Sequence, residues 1–287
     1  MSEACKSCSS AGTCTTTPDK CSQKPEITEA QKVNHINKVI AVMSGKGGVG
    51  KSSVTGMLAV SLRRQGYKVG ILDADITGPS IPKIFGLTGN AEGSKTGLIA
   101  PLSRAGVKIM SLNLLLENED DPVIWRGPMI AQLINQFWKD VIWGDLDYLL
   151  IDLPPGTGDV PITVFQSLPI NGTVIVTSPQ ALANMVVRKA VKMAKKYEPP
   201  VYGLIENMAY VQCPDCQKQI EIFGKPKGQA EAQRNAIPYL GALPIDPVLT
   251  ALSDDGKLED YQSEAFDKIV QRLAEEIVKN SDKNLLQ

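Results

Sequence analysis

Short, nearly continuous apolar runs recur along this chain and alternate with stretches in which apolar residues return every three or four positions. The runs Val39–Ser44, Val69–Asp73, Val107–Leu112, Tyr148–Asp152, Thr173–Thr177 and Val201–Glu206 predict strands, and a further strand is expected to include Tyr239–Leu243. Continuous rather than alternating apolar character belongs to strands covered on both faces. Between them, Gly50–Arg64, Pro128–Val141, Ala183–Tyr197, Gly228–Asn235 and Glu264–Lys279 fit helices. Strands and helices in alternation predict an α/β fold, a doubly wound and mostly parallel sheet with helices on both faces. Residues 1–35 differ: they are polar, rich in Cys, Thr, Ser and Lys, and punctuated by Pro18 and Pro25. Such a segment cannot bury a core and reads as a Cys-rich flexible arm unless metal orders it. The expected organisation is an arm over 1–35 and one domain over 36–287.

One uncharged run, Val160 to Val187, is long enough to span a bilayer, but Pro161, Pro169, Asn171, Gly172, Pro179 and Asn184 break it into helix, turn, strand and turn. It therefore reads as protein core. The N-terminus, Met1-Ser2-Glu3-Ala4-Cys5-Lys6, has no basic region followed by an apolar one, so no secretory signal is expected. Lys and Arg number 30 against 31 Asp and Glu, a net charge of −1, which lacks the electrostatic footprint of a nucleic-acid binder. Arg188, Lys189, Lys192, Lys195 and Lys196 cluster late in a predicted helix, where cations suit the dipole, and read as a solvated face. The expectation is a cytoplasmic protein with no nucleic-acid and no membrane partner.

Chemistry concentrates where strands end. Gly45-Lys46-Gly47-Gly48-Val49-Gly50-Lys51-Ser52 fits the phosphate-binding loop G-x-x-x-x-G-K-[ST], and it lies between a strand and a helix, the context that motif requires. Its glycines let backbone N–H groups close on phosphate oxygens, and the helix N-terminus from Ser52 and Ser53 onward adds partial positive charge. Lys51 is expected to pair with the β- and γ-phosphates of ATP and the Ser52 hydroxyl to ligate Mg²⁺. Two acidic turns share that edge of the sheet. Asp152 ends the apolar strand Tyr148–Asp152, where a carboxylate holding Mg²⁺ directly or through water belongs. In Asp73-Ala74-Asp75, Asp75 is the candidate for orienting or deprotonating the attacking water, and Asp73 is placed near the Mg²⁺ shell. Helix capping and turn formation are the structural alternatives for these two.

The cysteines are Cys5, Cys8, Cys14, Cys21, Cys213 and Cys216, and the sole histidine is His35. One histidine excludes multi-histidine metal sites and a Ser-His-Asp apparatus within the chain, so any metal must rest mainly on thiolates. Clustered cysteines in a reducing compartment point to metal or redox chemistry over structural disulfides. By spacing alone Cys213-x2-Cys216 fits a redox dithiol, half a zinc site or half a cluster site.

Lys46, a second lysine inside the loop, makes it resemble the deviant Walker A loop of the MinD/ParA/iron-protein NTPases. That resemblance implies a homodimer with ATP sandwiched between subunits, Lys46 reaching the partner's nucleotide in the manner of an arginine finger. Further motifs follow in order: Asp73-Ala-Asp-Ile-Thr-Gly-Pro-Ser80, Ile124-Trp-Arg-Gly-Pro128, Trp143-Gly-Asp-Leu-Asp-Tyr148, Asp152-Leu-Pro-Pro-Gly-Thr-Gly-Asp159, Glu206-Asn-Met208 and Cys213-Pro-Asp-Cys216. Together they resemble the Mrp/ApbC family of iron–sulfur cluster carrier ATPases over about residues 36–280. The resemblance implies that Lys46, Lys51, Ser52, Asp75 and Asp152 bind and hydrolyse ATP slowly and that Asn207 contacts adenine. It also implies that Cys213 and Cys216 bind a [4Fe–4S] cluster. Two thiolates per chain close to the usual four if two subunits share the cluster. The implied activity is transfer of that cluster to apo iron–sulfur proteins. Cys5-x2-Cys8-x5-Cys14 resembles part of an N-terminal cluster motif of the eukaryotic cytosolic branch. There the remaining cysteine lies upstream, whereas here Cys21 lies downstream, so a second cluster, zinc or a thiol-rich tail all remain open for these four. The rival classes are a MinD/ParA-like positioning ATPase, an electron-donating reductase and a zinc-thiolate regulatory NTPase. The last helix mixes acids and bases on its polar face, unlike a membrane anchor, and Asp152–Asp159 lacks the cysteine a reductase of this kind would carry.

Overall fold

Strand β1 (His35–Ser44) lies near the middle of a seven-stranded sheet in the order β7-β6-β5-β1-β4-β2-β3, with β2 Val69–Asp73, β3 Lys108–Ser111, β4 Asp145–Asp152, β5 Gly172–Thr177, β6 Val201–Glu206 and β7 Tyr239–Ala242. All its pairings are parallel. The computed structural model describes residues 28–75, 78, 80–116, 127–180 and 183–285. The cysteines at 5, 8, 14 and 21, with Ile76, Thr77, Pro79 and residues 117–126, lie outside the described residues.

The apolar runs become these strands because the sheet is sandwiched. Along β1, Ile40 and Val42 point to one face, where they meet Val54 and Leu58 of helix α2 (Lys51–Arg64) and Phe266 and Ile269 of the last helix (Glu264–Leu285). Val39, Ala41 and Met43 point to the other, against Ile134 and Phe137 of helix Gly127–Asp140 and Val187 and Val191 of helix Ala183–Lys196. Val160–Val187 divides among helix Asp159–Ser167, strand β5 and the start of helix Ala183–Lys196. Among the described residues no helix is long and apolar enough to cross a membrane.

Two elements depart from the apolar pattern. Strand β1 begins at His35, before its apolar run, because parallel pairing carries His35 and Ile36 onto Asp145 and Leu146. Ahead of it, helix α1 (Glu29–Val33) lies inside the stretch read as arm. Its N-cap Thr28 and Gln31 close a capping box. Thr28 Oγ1 donates to the Lys139 carbonyl, and Asn34 donates to Val141 O at 2.8 Å and accepts from Gly144 N at 2.8 Å. Ala30 is fully buried. Helix Pro247–Asp254 is a further element, started by an Asp246 side chain that accepts from Val248 N with Pro247 in the first turn.

Strand order reverses on either side of β1, and in open sheets of this kind ligands bind at the carboxyl ends beside such a reversal. Close packing fixes the strands at the opposite edge, where β5 and β6 begin. A Cβ at Gly172 would stand 2.0 Å from Tyr202 Cε2 and 2.3 Å from Cζ. The ring cannot swing away freely because its hydroxyl donates to Asn171 O at 2.8 Å. Gly172→Ala should therefore destabilise by about 2 kcal/mol, within the range for overpacking. Thermal unfolding should show a midpoint several degrees lower; an unchanged midpoint would mean that the β5–β6 pair yields.

Candidate functional site

Past Ser44 the chain turns back over its own strand. Ser44 Oγ donates to Lys46 O at 3.0 Å, and Gly48 and Gly50 take left-handed φ of 75° and 73°. A side chain at either position would be strained, which explains the glycines. Gly50 is the N-cap of α2 and supplies no side-chain cap, so the first N–H groups of a 14-residue helix are left for a ligand. They open on a cleft of about 230 Å³ lined by Ser44, the loop from Lys46 to Ser53, Asp75, Ser80 and Pro155.

Asp152 lies at the floor, fully buried. Ser52 Oγ donates to its Oδ2 at 2.6 Å and Thr55 Oγ1 to its Oδ1 at 2.7 Å. Lys51 Nζ stands 2.7 Å from Oδ1, an ion pair, but outside hydrogen-bond geometry. This buried ammonium is short of acceptors, which suits an incoming phosphate. Thr55 escaped the motif reading. Its signal is spacing: one helical turn beyond Lys51, it returns to the same face.

Asp73 sits across from Asp152 in the β2–β4 register. Its Oδ1 accepts from Asp75 N at 3.1 Å, and its Oδ2 accepts from Ser111 Oγ at 3.2 Å and Ile81 N at 3.4 Å. The turn-forming role is thus real for Asp73. Burial, and next the neighbouring Asp152 carboxylate, push Asp73 up to about 8, against the pull of Lys51. A site that holds a proton to offset two buried carboxylates also suits a divalent cation. Ser52, Asp152 and Asp73 offer the hard oxygen donors that Mg²⁺ takes.

The structure brings Lys46, Lys51, Ser52, Ser53 and Asp75 to one cleft, with Asp152 and Asp73 beneath. Lys46 Nζ donates to Gln180 Oε1 of its own chain, a partner with no sequence signal because Gln180 sits in the loop after β5. Asn207 is buried under the loop, its Nδ2 donating to Val49 O at 2.9 Å.

Cys213 and Cys216 are carried apart from the main sheet, on a two-stranded antiparallel hairpin of Val211–Gln212 and Gln219–Ile220. Cys213 N donates to Lys218 O and Gln217 N to Cys213 O, both at 3.0 Å, and Gln217 adopts a left-handed φ of 58°. The N–H groups of Cys216 and then Asp215 face the Cys213 sulfur and, with the Cys216 side chain, hold its thiol below the ordinary range. Both thiols are free; Cys213 is half-buried and Cys216 exposed. Among the described residues no cluster of three or more His, Cys, Asp or Glu is placed to hold a metal.

The Asp73 proton has a measurable consequence. A carboxyl whose folded value is raised from 3.8 to about 8 favours the folded state at low pH, and that contribution is lost as pH rises between those values. Asp73→Asn should thus raise the melting temperature of nucleotide-free protein by a margin that widens from about pH 4 to about pH 8 and then levels. A margin independent of pH would place the proton elsewhere.

The family model described as "ParA: NUBPL iron-transfer P-loop NTPase" matches residues 35–278. An iron-sulfur cluster carrier protein from Clostridium perfringens is 45% identical over 270 residues, 91% of this chain and 95% of its own. A cytosolic Fe-S cluster assembly factor NUBP2 homolog from Trichoplax adhaerens is 46% identical over 79% of this chain and 89% of its own. Among solved structures, a nucleotide-binding protein from Archaeoglobus fulgidus in complex with ADP is 47% identical. It matches with a TM-score of 0.75 over 84% of this chain and 96% of that one. With a phosphate-binding loop on a parallel sheet, an Asp152 floor and a free thiol pair on a hairpin, the chain belongs to the iron-transfer P-loop NTPases, the family of the iron–sulfur cluster carriers.

Proposed function

We propose that this chain is a homodimeric ATPase that holds a [4Fe–4S] cluster between two subunits and hands it to apo iron–sulfur proteins in the cytosol. The observation that carries the reading is the free thiol pair: Cys213 and Cys216 sit together on one hairpin with no third ligand among the described residues. A cluster that needs four thiolates is completed by a second copy. Ile220, Ile222 and Phe223, just past the cysteines, are 49%, 57% and 38% exposed, an apolar collar that a second subunit would cover. Cys213, already drawn toward thiolate by its N–H neighbours, is prepared to ligate iron.

In the nucleotide site Lys51 turns from Asp152 to the β- and γ-phosphates, and the loop's N–H groups close on the same oxygens. Mg²⁺, when bound, supplies charge neutralisation at the phosphate oxygens, held by Ser52 and Asp152 with Asp73 in its surroundings. Asp75 orients the attacking water. Lys46 exchanges Gln180 for the partner's nucleotide, and Asn207 contacts the base. Hydrolysis is slow and acts as a switch on how tightly the cluster is gripped. The cysteines at 5, 8, 14 and 21 are a second candidate cluster site.

Lys51→Ala should weaken ATP binding about tenfold or more, the loss expected for a charge-assisted contact. Isothermal titration checks this, and unchanged affinity would remove Lys51 from the phosphate site. Combined replacement of Cys213 and Cys216 by Ala, in a chain whose four arm cysteines are Ser, should abolish iron and acid-labile sulfide after anaerobic reconstitution. ATP affinity should persist. Cluster surviving in that variant would overturn the assignment of these thiols.

A further inference from the structure

Resting on the carrier reading, we infer that Asn207 is a positioning residue that ties the phosphate-binding loop to the root of the Cys213/Cys216 hairpin, so that nucleotide and thiols sense one another. Both ends of the segment bearing the thiols are held by one dipeptide, Glu206-Asn207, at the carboxyl end of β6. At the exit, Glu206 Oε1 accepts from Lys227 N at 2.8 Å. Gly228 follows at a spot without room for a side chain, since a Cβ there would lie 2.8 Å from Glu206 Oε2 and 2.9 Å from Tyr239 Cε2. At the entry, Asn207 N donates to Thr177 O at 2.8 Å, and Met208 turns the chain through a left-handed φ of 57°. Ala209 N then donates to Leu243 O at 2.8 Å, and Tyr210 O accepts from Ile245 N at 2.7 Å. The hairpin strand Val211–Gln212 and Cys213 follow at once.

The same Asn207 reaches into the nucleotide site. Its Nδ2 donates to Val49 O at 2.9 Å in a buried setting. That carbonyl and the Gly50 N–H belong to one planar peptide unit. Rotation of this unit to aim the N–H at a phosphate therefore moves the carbonyl that Asn207 holds. Leaving the carbonyl behind would strand a buried donor and acceptor, at about 1–3 kcal/mol. Contact is tight besides: a Cβ on Gly50 would stand 2.3 Å from Asn207 Nδ2 and 3.4 Å from Met208 Cε. The loop cannot shift toward this side without displacing the residues that begin the hairpin.

The test reads the thiols directly and needs no cluster. Full-length, reduced, metal-free protein is alkylated with iodoacetamide, and Cys213 and Cys216 are followed by peptide mass spectrometry without nucleotide and with saturating Mg-ADP or Mg-ATP. Nucleotide should change the wild-type rate about fivefold or more, the lower end of coupling between sites. In Asn207→Ala, and in the isosteric Asn207→Asp that removes the donor, nucleotide raised to measured saturation should leave the rate nearly unchanged. A merely structural role would alter the rates with and without nucleotide alike and keep their ratio. Wild-type rates indifferent to nucleotide, or a ratio preserved in both variants, would overturn the tether. Iron and sulfide are measured on separately reconstituted wild type. Failure to take up a cluster while the thiol response persists would overturn the carrier reading and leave the tether standing.

Discussion

A single buried carboxylate organises the nucleotide end of this molecule. Asp152 ends the strand beside β1, and its two oxygens collect the Ser52 hydroxyl, the Thr55 hydroxyl and the Lys51 ammonium. Burying an isolated charge is prohibitive; burying one with donors on both oxygens is not. Ser52, Thr55 and Lys51 belong to the first turns of α2, so satisfying Asp152 also fixes where that helix begins and which way its N–H groups point. Asp73 is drawn into the same account. Lying beside Asp152, it keeps a proton that relieves the repulsion. The buried carboxylate pair is thus charge-balanced by Lys51 and a proton.

Much of this could be read from the chain. The loop motif, the strand ahead of it and the carboxylate at the end of Tyr148–Asp152 each announce their place by composition and order, because a parallel sheet covered on both faces forces continuous apolar runs. The Cys213/Cys216 pair announces itself by spacing. What escaped depends on register and on loops. Ser111 meets Asp73 only because β3 pairs with β2. Gln180 meets Lys46 across two loops that share no local pattern. Helix α1 is five residues long, too short for a period to show, and its capping box was the available signal. Asp246-Pro247 was likewise a visible helix start, followed by a helix of only eight residues.

The hairpin illustrates how the family's fold accommodates a free thiol pair. Its strands pair only with each other, so nothing in the main sheet is altered to carry the thiols. The sheet anchors it through Glu206, Asn207 and the backbone bonds of Ala209 and Tyr210. The thiols thus sit on a platform of their own whose root meets the nucleotide loop through Asn207.

The position of β1 also governs when the molecule becomes competent. His35–Ser44 is made before both of its neighbours in the sheet, Asp145–Asp152 and Gly172–Thr177. The loop at its end is therefore an unfinished cradle until Gly172–Thr177 has been made. Contacts of such long sequence separation form slowly. The thiols of the hairpin, at Cys213 and Cys216, are made only after both of those strands, so the cradle has its neighbours before the hairpin is complete.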